Sequence, residues 1–318
     1  MRLRSWLERL TKLIKPRRRG IKVIITHGDL DGVACAAIAK RVLGEVEIIF
    51  SSPEKIAKSL RKLRVEDGLV VVTDISVNHG KEDEVLEAIR RLRRMRNEVL
   101  WIDHHRWTDR ALELIGREAE LHVKPSPSAT RLVKEILAPQ DEIAEKIAEI
   151  ADDADTGTYS MSLSRAYRVA TKRRDTKMRL LEKLKDGVFE DEEVEEWMKR
   201  SEEEIKASEE LAKTVEICTT KSGLKFGVIR MRRMRGSGSI AAKIAMEKHG
   251  LDFVVVVRRN GRVSMYSRKA DIGILEVARA HGGGGHPQAC GFRMSLKERI
   301  LTLLFRKRMC FMKEIVRL

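Results

Sequence analysis

Short apolar runs alternate along the chain with longer stretches in which apolar residues recur every three or four positions. Residues 21–26, 46–50, 69–73 and 99–102 are such runs, rich in Val and Ile, and predict strands buried on both faces. Helical spacing fills 32–43, 53–63 and 80–95 between them, with Asp31 placed to cap the first helix. Further helices are expected at 126–137 and 140–150, followed by a basic segment at 172–179. Residues 186–216 open acidic and carry Val194, Trp197, Met198 and Ile205 at helical spacing, the pattern of a connecting helix. From Leu224 the pattern resets. Strands are expected at 226–231, 253–257, 262–267 and 289–293, the middle pair joined as a hairpin through Arg259-Asn260-Gly261. Helices are expected at 238–249, at 271–280 and at the C-terminal end.

Strands alternating with helices predict a doubly wound parallel sheet, followed by a smaller α/β domain behind a helical linker. The expected boundaries are a basic amphipathic helix at 1–19, the larger α/β domain at 20–185, the linker at 186–216 and the smaller domain at 217–318. Composition narrows the partners. The 318 residues are 42% apolar, enough for a sizeable core, and carry a net charge of +16. Such an excess favours nucleic acid, nucleotides or another polyanion. Aromatic residues are only 4%, which disfavours a long base-stacking track. No run approaches a membrane span. Residues 1–20 lack the long apolar core of a secretory signal. Cys35, Cys218, Cys290 and Cys310 form no C-x-x-C pair, so a reducing cytoplasm is the expected compartment.

The candidate chemistry gathers at strand ends. His27, Asp29 and Asp31 alternate just after the first strand, so they can face one way. Asp74 follows the third strand, and Asp103, His104 and His105 follow the fourth. Asp152, Asp153 and Asp155 follow the later helix, and Asp155 is set apart by the Thr156-Gly157 after it. In open parallel sheets ligands bind beyond the carboxyl ends of the strands. Taken singly, each residue has an ordinary explanation as a cap, a turn residue or a hydrogen-bonded histidine. Their joint placement at separate element ends points to one centre. Several carboxylates with two or three imidazoles suit two divalent cations close together, and Mn²⁺ better than a structural zinc.

His27-x-Asp29-x-Asp31-Gly32, the isolated Asp74, Asp103-His104-His105 and Asp155-Thr156-Gly157 resemble the four motifs of the DHH phosphoesterase superfamily. Gly282-Gly283-Gly284-Gly285-His286-Pro287-x-Ala289-x-Gly291 resembles the glycine-rich signature of its companion domain, DHHA1. Length and domain order are similar to the nano-RNase/pAp-phosphatase branch, which is RecJ-like. The resemblance implies two Mn²⁺ ions, with Mg²⁺ or Co²⁺ as substitutes. His27, Asp29 and Asp74 would hold one ion. Asp31, Asp74, His104 and Asp155 would hold the other, with Asp74 shared. His105 would serve the scissile phosphate or the leaving group, and Asp103 would orient an imidazole. Gly283, Gly284, Gly285 and His286, with Arg268 in Tyr266-Ser267-Arg268, would grip the substrate. The implied activity is hydrolysis of short single-stranded RNA or DNA to 5′-mononucleotides, with 3′-phosphoadenosine 5′-phosphate as a second substrate. A RecJ-like exonuclease on longer single-stranded DNA, a cyclic-dinucleotide phosphodiesterase and a non-catalytic nucleic-acid-binding protein stay open. A homodimer is compatible with the sequence, and no protein partner is named by it.

Overall fold

The structure is a computed structural model that describes residues 18–231, 236–295, 315 and 318. The helices expected at 1–19 and at the C-terminal end therefore fall largely outside the described residues. Arg18–Arg19 is not helical: it pairs in parallel with Val65–Glu66, fixed by the Arg18 N–H on the Arg64 carbonyl at 2.9 Å. Two compact units, 1–199 and 200–318, divide the chain.

The first unit is built on five parallel strands in the order Val46–Phe50, Lys22–Thr26, Leu69–Thr73, Glu98–Asp103, Glu120–Val123. Numbered along the chain that order is 2-1-3-4-5, so the direction of winding reverses between the first and third strands. Alternate residues of one strand enter opposite cores. Val23, Ile25, Val70 and Val72 pack on the helices Ile56–Lys62, Glu82–Arg94 and Asp109–Gly116. Ile24, Val71 and Ile102 pack on Leu30–Leu43 and the helices beyond it. This two-sided burial is why these strands read as continuous apolar runs.

Leu30–Leu43 is the central helix. It packs against Ala129–Leu137, Glu142–Asp155 and Arg174–Asp186 as well as the sheet, and is buried from Leu30 through Ala39. Its run Ala34-Cys35-Ala36-Ala37 is what so crowded a position requires, since small side chains let neighbouring helices approach. Ile38 is fully buried there; Ile38→Ala would remove about 2–5 kcal/mol of stability.

Among the elements of this unit absent from the sequence expectation are the edge strand Glu120–Val123 and the helices Asp109–Gly116 and Ser162–Ala170. The basic segment at 172–179 turns out to open the helix Arg174–Asp186.

The connecting helix runs Glu192–Ala212 and crosses the boundary between units. Val194 and Trp197 belong to the first unit's core and Ala212 to the second's. The second unit carries a sheet ordered Gly284–His286, Ala289–Arg293, Arg262–Ser267, Phe253–Arg258, Lys225–Met231, Glu216–Thr219. Phe253–Arg258 is parallel to Lys225–Met231 and antiparallel to Arg262–Ser267, the hairpin on Asn260-Gly261. The helix expected at 271–280 is interrupted at Gly273, whose φ of 86° no other residue adopts readily, and resumes as Ile274–Ala280. Among the described residues no helix is long and apolar enough to cross a membrane.

Candidate metal centre

The strand ends at the reversal of winding are level, with Thr26 opposite Thr73. Thr73 Oγ1 donates to Thr26 Oγ1 at 2.8 Å, and Thr26 Oγ1 donates to the Gly32 carbonyl at 2.9 Å. This buried chain ties together the two segments that carry His27 and Asp74. Gly32 is required by space: a Cβ there would sit 2.3 Å from the His27 carbonyl oxygen. The cap of the central helix is Asp29, not Asp31. Asp29 Oδ1 accepts from the Gly32 N–H at 3.2 Å. Asp31 lies in the first turn and is claimed by another helix. Its Oδ1 accepts from the Thr130 N–H at 2.8 Å and from Thr130 Oγ1 at 2.6 Å; its Oδ2 accepts from the Ala129 N–H at 2.8 Å. These donors open the helix Ala129–Leu137, so its positive end faces a buried carboxylate. Oδ1 thereby has both lone pairs engaged, and Oδ2 keeps one for a cation.

Asp74 sits between two groups of ligands. Its backbone is in the left-handed region at φ 54°, a conformation Asp tolerates better than most residues and one that recurs at functional sites. It is buried, and its Oδ2 has no hydrogen-bond partner among the described residues. Oδ2 faces His27 Nδ1 at 3.9 Å; Oδ1 faces His104 Nε2 at 3.8 Å and His105 Nδ1 at 3.9 Å. The two oxygens of one carboxylate thus address different clusters. His104 is oriented by Nδ1, which donates to the Ser126 carbonyl at 3.1 Å. Its Nε2 then points among three carboxylates, 3.4 Å from Asp155 Oδ2, 3.7 Å from Asp31 Oδ2 and 3.8 Å from Asp74. Potential ligand atoms gather within 4.8 Å in three sets: His27, Asp29 and Asp74; Asp31, His104 and Asp155; Asp74, His104 and His105.

The crowded fourth motif separates by partners. Asp152 accepts from Ser128 Oγ at 2.6 Å and from the Arg131 guanidinium at 2.6 and 2.9 Å. Asp153 accepts from the Ser160 and Met161 N–H groups and the Ser160 and Ser164 hydroxyls. Asp155, in the last turn of Glu142–Asp155, is the one that joins the cluster. Asp103 is fully buried with both oxygens taken, Oδ1 by His105 Nδ1 at 2.8 Å and Oδ2 by Trp107 Nε1 at 2.6 Å. It orients His105 and is not among the residues whose ligand atoms gather in the cluster.

The electrostatics are those of a site short of positive charge. Burial, then repulsion from Asp31, Asp29, Asp103 and Asp155, holds the Asp74 carboxyl well above its ordinary pKa. Burial and Asp31 raise Asp155 to about 7, and burial raises Asp31. Burial works against charging His27, but its 2.7 Å hydrogen bond to Asp29 outweighs that and raises it. For Asp29 burial is overcome by the same bond, and its pKa falls to about 2. His105 is raised in the same way by Asp103, against burial. Divalent cations fit this set. An orphaned buried carboxylate oxygen, hard oxygen donors and pre-oriented imidazoles are the donor chemistry of Mn²⁺ or Mg²⁺. Ligand atoms about 2.1 Å from an octahedral ion lie about 3 Å apart, slightly closer than the 3.4–3.9 Å seen here.

In the second unit Arg268 follows Arg262–Ser267, and its Nη2 donates to the Met246 carbonyl. His286 and Tyr266 both lie opposite Ala289, so Arg268 and His286 occupy the same end of that sheet. The glycine-rich stretch is not an open loop but the edge strand Gly284–His286. The Gly283 N–H is bonded to the Ala278 carbonyl at 2.8 Å, and a Cβ on Gly283 would meet the Gly291 oxygen at 2.1 Å. A Cβ on Gly285 would meet the Ala289 oxygen at 2.6 Å, whereas Gly284 is open. Sequence reasoning missed Thr130 and Lys177. Ser128-Ala129-Thr130 carries a cap signal, Ser128 accepting from the Arg131 N–H, but nothing local says that the next turn holds Asp31.

Residues 22–158 match the model of the DHH family, N-terminal domain. No curated protein matches the chain. Three solved structures share its fold at low identity. The DHH domain of a member of a family of ribosomal proteins is 14% identical with a TM-score of 0.66, covering 94% of this chain and 87% of that one. Exonuclease RecJ bound to manganese is 17% identical with a TM-score of 0.61, covering 94% and 90%. A pGpG-specific phosphodiesterase, PggH from Vibrio cholerae, is 14% identical with a TM-score of 0.55, covering 90% and 98%. Residues 22–158, whose candidate ligands gather at one strand-end centre, are a domain of the DHH family.

Proposed function

We propose that this protein is a Mn²⁺-dependent phosphodiesterase that hydrolyses short single-stranded oligonucleotides, RNA foremost, to 5′-mononucleotides. The observation that carries the reading is Asp74: a buried carboxylate whose two oxygens address two ligand clusters, one of those oxygens without a hydrogen bond among the described residues. His27, Asp29 and Asp74 would hold one ion, and Asp31, Asp74, His104 and Asp155 the other. The ions would supply water activation and charge stabilisation at phosphorus. The protein's own part is to keep the donors apart and aligned. Ala129 and Thr130 fix Asp31, Ser126 fixes His104, and Asp103 fixes His105. His105, held by Asp103 and partly exposed, would donate a hydrogen bond to the scissile phosphate or a proton to the leaving oxygen. Arg268 would clamp a substrate phosphate, and Gly283, Gly284, Gly285 and His286 would seat the terminal nucleotide.

Net charge of +16 favours a polyanionic substrate, and 4% aromatic content favours a short one. The pGpG in the name of one protein of this fold is such a short RNA, which makes it a substrate to include. The test is hydrolysis of 5′-labelled RNA and DNA of increasing length with Mn²⁺. The reading expects the highest turnover on the shortest RNA. Activity that rises with length would favour a RecJ-like exonuclease on longer DNA instead. Mn²⁺-dependent hydrolysis left unchanged by Asp74→Ala would overturn the site assignment.

A further inference from the structure

Lys177 is a residue the proposed mechanism does not use. It stands on Arg174–Asp186, and its ammonium donates to the carbonyl oxygen of Gly28, the residue between His27 and Asp29. On its other side the ammonium lies 4.7 Å from the centroid of the Phe50 ring, at the end of the neighbouring strand. It is half-buried, and among the described residues no carboxylate lies within ion-pair distance of it. Lysines are seldom drawn out of water without a counter-charge. A backbone carbonyl and an aromatic face compensate in part. Burial accordingly pulls the lysine below its ordinary pKa, although the Asp29 charge opposes this. The turn before it carries exposed Lys172, Arg173 and Arg174, Arg173 paired with Asp175 at 3.2 Å, within the basic segment that stood out in the sequence.

We propose that Lys177 is a substrate-binding residue, its ammonium taking a phosphate oxygen of the oligonucleotide on the His27–Asp29 side of the centre, with the 172–174 turn carrying the phosphates beyond. The inference rests on the phosphodiesterase reading. A point charge on a flexible stem can exchange the Gly28 carbonyl for a phosphate oxygen without moving the ligands. The phosphate concerned is either the scissile one or its neighbour, and two substrates tell these apart.

The experiment uses the full chain with Mn²⁺. Wild type, Lys177→Met and Lys177→Arg are compared on a 5′-phosphorylated dinucleotide and on the p-nitrophenyl ester of thymidine 5′-monophosphate, which has only the scissile phosphate. Lys177→Met is expected to raise the dinucleotide KM about tenfold or more, the loss of one charge-assisted hydrogen bond. It should flatten the slope of log KM against log salt by about 0.7. Lys177→Arg should restore most of the KM, and calorimetric Mn²⁺ affinity should be unchanged. An equal KM rise on the ester assigns the lysine to the scissile phosphate; a rise on the dinucleotide alone assigns it to the neighbour. Unchanged KM on both overturns the proposal. So does weakened Mn²⁺ affinity with kcat reduced on both substrates, which would make Lys177 a buttress of the Gly28 backbone. If wild type hydrolyses neither compound, the activity reading fails by itself. Equilibrium binding of 3′-phosphoadenosine 5′-phosphate then still decides Lys177, whose Met variant must bind it at least tenfold more weakly.

Discussion

The strand-end cluster of the first unit and the glycine-rich hairpin of the second hold their candidate residues in opposite ways. In the first, candidate side chains are held by other groups: Asp31 by the Ala129–Leu137 helix, His104 by Ser126, His105 by Asp103. Yet their charges are left unbalanced, with Asp74 Oδ2 orphaned. In the second, Gly283 and Gly285 are explained by close backbone packing, and His286 is exposed on an edge strand. A buried cluster that is expensive without a ligand announces the ligand from the protein alone. A substrate grip on exposed backbone costs nothing when empty and leaves no such mark.

The largest effect that tests this contrast is at Asp74. Asp74→Ala should lower Mn²⁺-dependent phosphodiester hydrolysis by about 10³-fold or more, since one charged donor to both clusters is lost. The metal-free variant should nonetheless melt above metal-free wild type, because a buried carboxylate repelled by four others is gone. Scanning calorimetry with chelator reads the second effect. A variant that loses activity and stability together would mean that Asp74 is structural.

Next in size is Thr130. Thr130→Ala removes the Oγ1 donor to Asp31 Oδ1 but touches no ion. It should weaken Mn²⁺ binding by about 10- to 100-fold, the usual weight of a group that orients a ligand. Thr130→Ser should restore it. Titration calorimetry separates this from simple unfolding, and an unaltered affinity would show that the Ala129 and Thr130 N–H groups suffice.

What could be read in advance follows the same division. The three inner strands were legible because two-sided burial leaves apolar runs rich in Val and Ile. Glu120–Val123 was not, since a short, half-polar edge strand has no such run. The two aspartates of Asp29-Leu30-Asp31 have equal capping chemistry, and only a helix about a hundred residues away decides that Asp29 is the cap. The same holds for Asp152, Asp153 and Asp155, sorted by Arg131 and Ser160 and not by their order. The glycine run carries no strand signal, because glycine signals permission, not purpose; the register Gly284 opposite Gly291 is what shows a hairpin.

On the other side of the comparison, Arg268→Ala should raise KM about tenfold, as loss of one charge-assisted contact would, while kcat and Mn²⁺ affinity stay near wild type. His286→Ala should do the same less strongly. The split is the point: KM moves without the metal. A fall in Mn²⁺ affinity in either variant would place that residue in the metal centre and dissolve the contrast.

The smallest effect is in pH. In the metal-free protein Asp155 titrates near 7, and Asp74 and Asp31 are also raised. A carboxyl whose folded pKa is raised favours folding fully below its unfolded pKa of about 4, and loses that contribution as pH rises through the folded value. His27 and His105, raised by Asp29 and Asp103, lose theirs as pH rises from about 6.5 through their folded values. Asp29, lowered to about 2, keeps its contribution throughout and does not oppose them. The metal-free protein should therefore lose stability from pH 6 to pH 8. The ions need the ligands deprotonated, so binding releases protons and tightens over the same range. Mn²⁺ should thus raise the melting temperature more at pH 8 than at pH 6, by a few degrees, about 1 kcal/mol in a unit of this size. Calorimetry at both pH values with and without chelator measures it. A gap that narrows as pH rises would mean that these carboxyls are already ionised without the metal.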